Sequence, residues 1–189
     1  MTRFYWRKYR SLGVVTTLAI LYLIVRAKNY EHKAFVFLAN VHPSEPWEFV
    51  ADFSNMKYLN PTIIDFNLLD ESGDYGHWKY SLEYSEKLSH WPHSFNTAVA
   101  HFNIKASPKK DSYFIHSTHK TCLLFGLYCL NSVSEFKFSH GNSSKGASCE
   151  ENIQYQCPTV LSSFCRREVV YQRKAIMNNL FKKFDGRKF

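Results

Sequence analysis

The chain has 189 residues, of which 45% are hydrophobic, 17% aromatic and 21% charged, with a formal net charge of +8. This composition excludes a disordered chain and suits one domain with its own core plus an appendage. The positive charge lies at the ends: residues 1–29 carry six basic side chains and no acid, residues 166–189 are net +6, and the body, residues 30–165, is net −4. That distribution argues against a nucleic-acid-binding domain and suits an anionic membrane surface.

Residues 1–29 read as an N-terminal appendage and residues 30–189 as the domain. Ser11 to Val25 is uncharged, with Arg3, Arg7, Lys8 and Arg10 before it and Arg26 and Lys28 after it. The run is short for a membrane span, which needs ~20 residues, but flanking Tyr9, Tyr22, Arg10 and Arg26 extend it by reaching the interface. Three readings stand: an uncleaved signal anchor forming a transmembrane helix, a cleaved signal peptide, and a mitochondrial presequence. The tighter basic cluster before the run places the N-terminus in the cytosol and the domain in the endoplasmic reticulum lumen or outside. Asn142 opens the sequon Asn-Ser-Ser, a glycosylation acceptor that agrees with this orientation.

Ala34 to Asn40 is a short apolar strand. Pro43 ends it, and Ser44 as N-cap with Pro46 in the first turn starts a short helix with Trp47, Val50 and Ala51 on its apolar face. A second short helix follows and is closed by Asn60-Pro61. Two strands then flank a turn at Ser72-Gly73-Asp74, the second alternating Trp78, Tyr80, Leu82 and Tyr84 with Lys79, Ser81 and Glu83. Phe95 to Ala106 and Tyr113 to Thr121 alternate again. Leu123 to Phe138 reads as one longer strand bulged at Gly126, and Ala147 to Cys157 returns from a polar turn. Pro158 opens the last element, a helix with Leu161, Cys165, Val169, Ile176, Leu180 and Phe184 on one stripe.

This order, with "VHPSEPWEFVADFSNMKYLNP" at the front and "EENIQYQCPTVLSSFCRREVVYQRKAIMNNLFKKF" at the back, resembles the START-like superfamily. That group includes the polyketide cyclase/dehydrase and lipid-transport proteins of the SRPBCC class. The resemblance covers residues 34–184. It implies an α+β helix-grip fold: a seven-stranded antiparallel sheet wrapped on a long C-terminal helix, two short helices after the first strand, and an apolar cavity between sheet and helix. Members bind sterols, phospholipids, quinones or polyketides, so the resemblance implies a hydrophobic small-molecule or lipid ligand and no universal catalytic motif.

Trp78, Tyr80, Tyr84, Phe102 and Tyr155 are candidate cavity wall, with plain core packing as the alternative. Cys165, Val169 and Ile176 lie on the helix stripe with Gln172 among them. A glutamine there either bonds a ligand head group or sits at the helix edge in water. The five cysteines are Cys122, Cys129, Cys149, Cys157 and Cys165. With Ser139 opposite Ala147, Cys129 faces Cys157, a cross-strand disulfide in an oxidising lumen; the alternative is buried free thiols. His116 and His119 point to opposite faces of a strand, and the histidines show no metal-ligand spacing. No nucleophile, P-loop or dinucleotide motif is present, and no cofactor is implied. For acid–base chemistry the sequence offers His101, Tyr80 and Glu83, the last on the outward set. Three functions remain: a membrane-anchored module holding or transferring a lipid, sterol or quinone; a cyclase-like enzyme on an apolar substrate; and a scaffold whose cavity has filled in.

Overall fold

The computed structural model describes residues 2–74, 76–109, 111–123, 126, 128–141 and 145–185, without the side chains of residues 2–9 and 11. Helix α1 (Thr2–Val25) leads into strand β1 (Ala27–Ala39). Helix α2 (Ser44–Ala51), a 3-10 turn (Phe53–Asn55) and the short helix α3 (Met56–Leu59) follow. Six more strands run β2 (Ile63–Asp74), β3 (His77–Lys87), β4 (Phe95–Ala106), β5 (Ser112–Leu123), β6 (Tyr128–His140) and β7 (Gly146–Pro158). A 3-10 turn (Thr159–Leu161) precedes helix α4 (Ser162–Asp185). The strands form one antiparallel sheet in the order β1-β7-β6-β5-β4-β3-β2, so β1 returns to pair with β7 at one edge. This is the helix-grip architecture expected from the sequence.

Period-two alternation builds the inner wall. On β4, Ala98, Ala100, Phe102 and Ile104 are buried while Thr97 and His101 face water. On β7, Ala147, Cys149, Glu151, Ile153, Tyr155 and Cys157 form the inward set. Across this face lie α2 and α4. Trp47 is 2% exposed, lies tilted against the Tyr113 ring at 4.8 Å and donates its indole N–H to the Phe114 carbonyl at 3.4 Å. Asn60 closes α3: its side-chain oxygen accepts from the Thr62 N–H at 3.2 Å and the Thr62 hydroxyl at 2.8 Å. Asn179 on α4 donates to the Leu59 carbonyl at 3.0 Å, and Phe184 meets Phe49 edge-on at 5.9 Å. The β3–β4 connection is pinned to α4 by Glu168, which accepts from the Ser89 N–H and hydroxyl, each at 2.8 Å, and contacts His90 Nδ1 at 2.6 Å.

Several local expectations are corrected. β1 starts at Ala27, seven residues before the apolar run, because Ala27 to Lys33 pair with β7; it reaches into the segment read as appendage. Pro43 holds the N-cap position of α2, and Ser44 is the first helical residue with no side-chain cap on the helix. Gly126 has φ +90° and lies between β5 and β6, so it turns the chain and does not bulge a strand. Pro158 ends β7 with extended backbone, and α4 starts four residues later. Asn142 lies outside the described residues.

The spanning helix is not found: no helix among the described residues is long and apolar enough to cross a membrane. The uncharged run from Ser11 to Val25 gives ~22 Å of helix against a hydrocarbon core of ~30 Å, and the rest of α1 carries Arg3, Arg7, Lys8 and Arg10. Beyond Ser11 the apolar side chains of α1 are nevertheless exposed, with Leu12, Val15, Tyr22 and Leu23 60–63% exposed.

Candidate functional site

The inner face of the sheet, α2, α3 and the middle of α4 enclose a cavity of about 40 Å³. That is room for roughly three waters at 10–15 Å³ each. Its apolar side is made by Phe53, Phe102, Ile115, Phe136 and Ile176. Its polar side is a cluster of ionisable groups from four elements.

Arg173 on α4 reaches Glu151 on β7 at 2.6 Å, with side-chain exposures of 15% and 0%. Ser134 on β6 donates its hydroxyl to the same Glu151 oxygen at 2.7 Å. Glu151 Oε2 and Arg173 Nε are buried without a hydrogen-bond partner among the described residues. Burial raises the Glu151 pKa, although Arg173 and Ser134 oppose it. Glu86 on β3 accepts from the Gln172 side-chain N–H at 3.4 Å. Burial pushes Glu86 up to about 7 against the opposing charge of Arg173. Next to it, the Tyr84 hydroxyl meets His119 Nδ1 at 3.1 Å, and His119 Nε2 meets the Ser117 hydroxyl at 2.9 Å. Burial, and after it the Arg173 charge, lowers His119 to about 3, so its imidazole is neutral. Chemically, the arrangement combines a cationic donor, a carboxylate acceptor, a carboxyl group poised near neutrality and a neutral histidine, all facing one small space.

Of the wall residues named from sequence, Tyr84, Phe102, Gln172 and Ile176 line this cavity. Trp78 lines a separate groove. Tyr80 is core: it is 4% exposed, stacks on Phe102 at 4.7 Å and donates its hydroxyl to the Ala51 carbonyl at 2.8 Å. Tyr155 stacks on Tyr30 at 5.8 Å, away from the cavity. Val169 is half-buried and does not line it.

Cys165 is also absent from the wall, because it is bonded to Cys157; the second disulfide joins Cys122 to Cys129, and Cys149 is free and buried. The expected Cys129–Cys157 pair is therefore wrong. Ser139 pairs with Ser148 and not Ala147, a one-residue slip that turns the two cysteines away from each other. His101 and Glu83 face outward, His101 bonding the Ser81 hydroxyl at 2.7 Å, and so they do not join Tyr80 in any catalytic cluster.

Sequence reasoning missed Glu86, Ser117, His119, Ser134, Glu151 and Arg173. The signal was present for the strand residues. Glu86 is two from Tyr84, and Glu151 lies between Cys149 and Ile153, each on the apolar half of a period-two pattern. Among the described residues no group of three or more His, Cys, Asp and Glu side chains is placed to hold a metal.

No family model matches the sequence, and no curated protein matches it. Solved structures do match. The di-domain ARO/CYC StfQ from the steffimycin biosynthetic pathway superposes with a TM-score of 0.59 at 12% identity, over 84% of this chain and 52% of StfQ. The chain thus spans about half the length of that protein. A START superfamily protein from Mycobacterium smegmatis gives a TM-score of 0.52 at 10% identity, covering 85% of this chain and 99% of the other. XoxI from Bacillus cereus gives 0.51 at 12% identity over 85% and 98%. At such identities the likeness is one of fold: the chain has the START-like helix-grip fold.

Proposed function

We propose that the protein holds an amphipathic small molecule inside the grip, with a polar group against Arg173 and Glu151 and an apolar body against Phe53, Phe102 and Ile176. The observation that carries this reading is the buried Arg173–Glu151 pair, which lines the cavity and whose Nε and Oε2 atoms have no hydrogen-bond partner among the described residues. Burying two charges is expensive, and leaving polar atoms of the pair unbonded adds to it. A ligand hydroxyl would satisfy both, accepting from the Arg173 Nε–H and donating to Glu151 Oε2, whereas a carbonyl would satisfy the Nε–H alone. Glu151 and Glu86 beside the arginine disfavour an anionic head group, so a neutral lipid, sterol or quinone fits better than a fatty acid. At about 40 Å³ the cavity is closed to such a ligand. Binding therefore requires α2 and α3 to move off the sheet.

α1 attaches the domain to a membrane in this proposal, supported by its exposed apolar side chains and the basic residues at its start. The two disulfides support an oxidising compartment such as the endoplasmic reticulum lumen or the outside.

The test is native mass spectrometry of the full chain purified from eukaryotic membranes, followed by lipid extraction. A stoichiometric neutral-lipid adduct, lost in an Arg173→Met/Glu151→Met variant, is the expected result. A bare mass in the wild type would favour the scaffold whose cavity has filled in, which the small volume supports. A second reading is an enzyme: Glu86, held at about 7, is placed to exchange a proton with a substrate in the cavity. Turnover of a bound lipid analogue that is lost in Glu86→Gln with binding intact would establish it. Glycosylation at Asn142, read as a mass increment in the same spectrum, reports the side of the membrane.

A further inference from the structure

Among the described residues from Ala27 onward, the three most exposed large apolar side chains are Trp91, Phe95 and Val160, at 63–65%. All three lie at one end of the sheet. β3 gives way to β4 at the pair Lys87–Phe95, β5 to β6 at Leu123–Tyr128, and β1 begins opposite the end of β7 at Ala27–Pro158. In one antiparallel sheet these pairs share an end, and α1 joins the domain there. Two connections at the opposite end read Ser-Pro-Lys-Lys-Asp (107–111) and Gly-Asn-Ser-Ser-Lys (141–145), without a large apolar residue.

This end is continuous with α1. The Thr159 N–H bonds the Arg26 carbonyl at 3.3 Å, and α1 packs on the 3-10 turn Thr159–Leu161 that carries Val160. Next along the chain, Phe164 meets the Trp91 ring at 5.4 Å, and the Arg167 guanidinium lies over the Phe164 ring at 5.8 Å. Ser89, two residues before Trp91, is held by Glu168. Trp91 is therefore fixed in place with most of its surface in water, and apolar neighbours extend it into a patch of the kind that marks an interaction site. The charge here has one sign. Residues 1–30, 88–94, 121–134 and 156–167 contain no aspartate or glutamate, and Arg26, Arg166 and Arg167 are exposed.

We propose that this end of the domain rests on a lipid bilayer, with Trp91, Phe95 and Val160 at headgroup depth and Arg26, Arg166 and Arg167 against headgroup phosphates. The inference rests on the membrane attachment of α1 and adds a second contact, made by the domain itself. With α1 in the bilayer, Arg26 stands at its surface, and the Thr159 bond brings Val160 and the start of α4 to the same level. Indole rings concentrate at bilayer interfaces, guanidinium groups bond phosphates with two N–H groups at once, and a surface without carboxylates does not repel those phosphates. A protein partner has no such reason to sit beside α1.

The test uses the full chain bound to phosphatidylcholine vesicles. Of the four tryptophans, Trp6 is replaced by Phe, and Trp47 and Trp78, toward the opposite end of the sheet, serve as the internal reference. Lipid brominated near the headgroup, the depth at which interfacial indoles lie, is expected to quench about twofold or more the fluorescence component that Trp91→Phe removes, and to spare the other two. Arg166→Gln/Arg167→Gln is expected to weaken that quenching, its fold checked by circular dichroism. Vesicle-bound protein with Trp91 unquenched would overturn the contact and leave the face to a protein partner. Equal quenching of all three tryptophans, or unchanged quenching in the arginine variant, would overturn it as well. A chain that does not bind vesicles at all would overturn the attachment of α1 together with it, which separates the two failures.

Discussion

Arg173 and Glu151 meet at 2.6 Å inside the grip, one from the middle of α4 and the other from the inner face of β7. Their contact ties the helix to the sheet by charge at the level where the core would otherwise be apolar. Removing one partner leaves the other buried and uncompensated, which costs about 3–5 kcal/mol; replacing both with apolar residues of similar volume is often neutral or stabilising. Arg173→Met and Glu151→Met are each expected to lower stability by that order in urea unfolding. The double variant is expected to recover most of the loss. Additive losses in the double-mutant cycle would show that the two charges are solvated independently.

The cluster also sets a pH signature, because two of its members shift in opposite directions. Glu86 has its folded pKa raised from 4.5 to about 7. It holds a proton in the folded state where the unfolded chain has lost it, so its contribution is full below pH 4.5 and is lost as pH rises to 7. His119 is lowered from 6.5 to about 3. The unfolded chain takes up that proton first, so its contribution is full above pH 6.5 and is lost as pH falls toward 3. Between pH 4.5 and 6.5 the two slopes oppose. Relative to wild type, Glu86→Gln is expected to show stability rising more steeply with pH in this window. His119→Gln is expected to show the reverse. Melting temperatures of the three proteins from pH 4.5 to 7.5 check this, and parallel curves would remove the assigned shifts.

The sheet and the grip helix were legible because alternation and helical spacing are local patterns. β3 and β4 could be read residue by residue from Trp78 to Tyr84 and Phe95 to Ala106. The site was less legible for a physical reason. A buried charge interrupts the run of apolar residues that marks the inward half of the alternation, so the positions of Glu86 and Glu151 were legible but not that they join one site, which depends on partners from other elements. On α4 the stripe was drawn through Cys165 and Val169, whereas the face that meets the sheet carries Glu168, Gln172, Ile176, Leu180 and Phe184 at spacings of four. Polar residues on its first half hid it. The wrong cysteine pairing has a different origin. It depended on a hairpin register that one residue decides, and turn residues do not specify register that finely.

The disulfides make a direct chemical prediction. Non-reducing peptide mapping is expected to find Cys122 linked to Cys129 and Cys157 linked to Cys165, with Cys149 as the one thiol. Cys149 is fully buried and its thiol is pushed by burial up to about 12, so it is expected to resist alkylation at neutral pH until the chain unfolds. A Cys129–Cys157 peptide, or rapid labelling of Cys149 in the native protein, would contradict the β6–β7 register.

α1 touches the domain near its end. The Tyr128 hydroxyl donates to the Val25 carbonyl at 2.9 Å, the Arg26 N–H bonds Tyr22, and the helix packs against the turn at Thr159–Leu161. No described side chain of α1 lines the cavity. Deleting residues 2–25 is therefore expected to leave the fold intact, with a melting temperature within a few degrees of the full chain, while binding to vesicles containing anionic lipid falls at least tenfold. The deletion removes the apolar face and four of the basic side chains together. The variant Arg3→Gln/Arg7→Gln/Lys8→Gln/Arg10→Gln separates them: if the apolar run carries attachment, it keeps most of the binding and loses its salt dependence. A deletion that unfolds the domain would instead make α1 part of the core, which its exposed Leu12, Val15 and Leu23 side chains argue against.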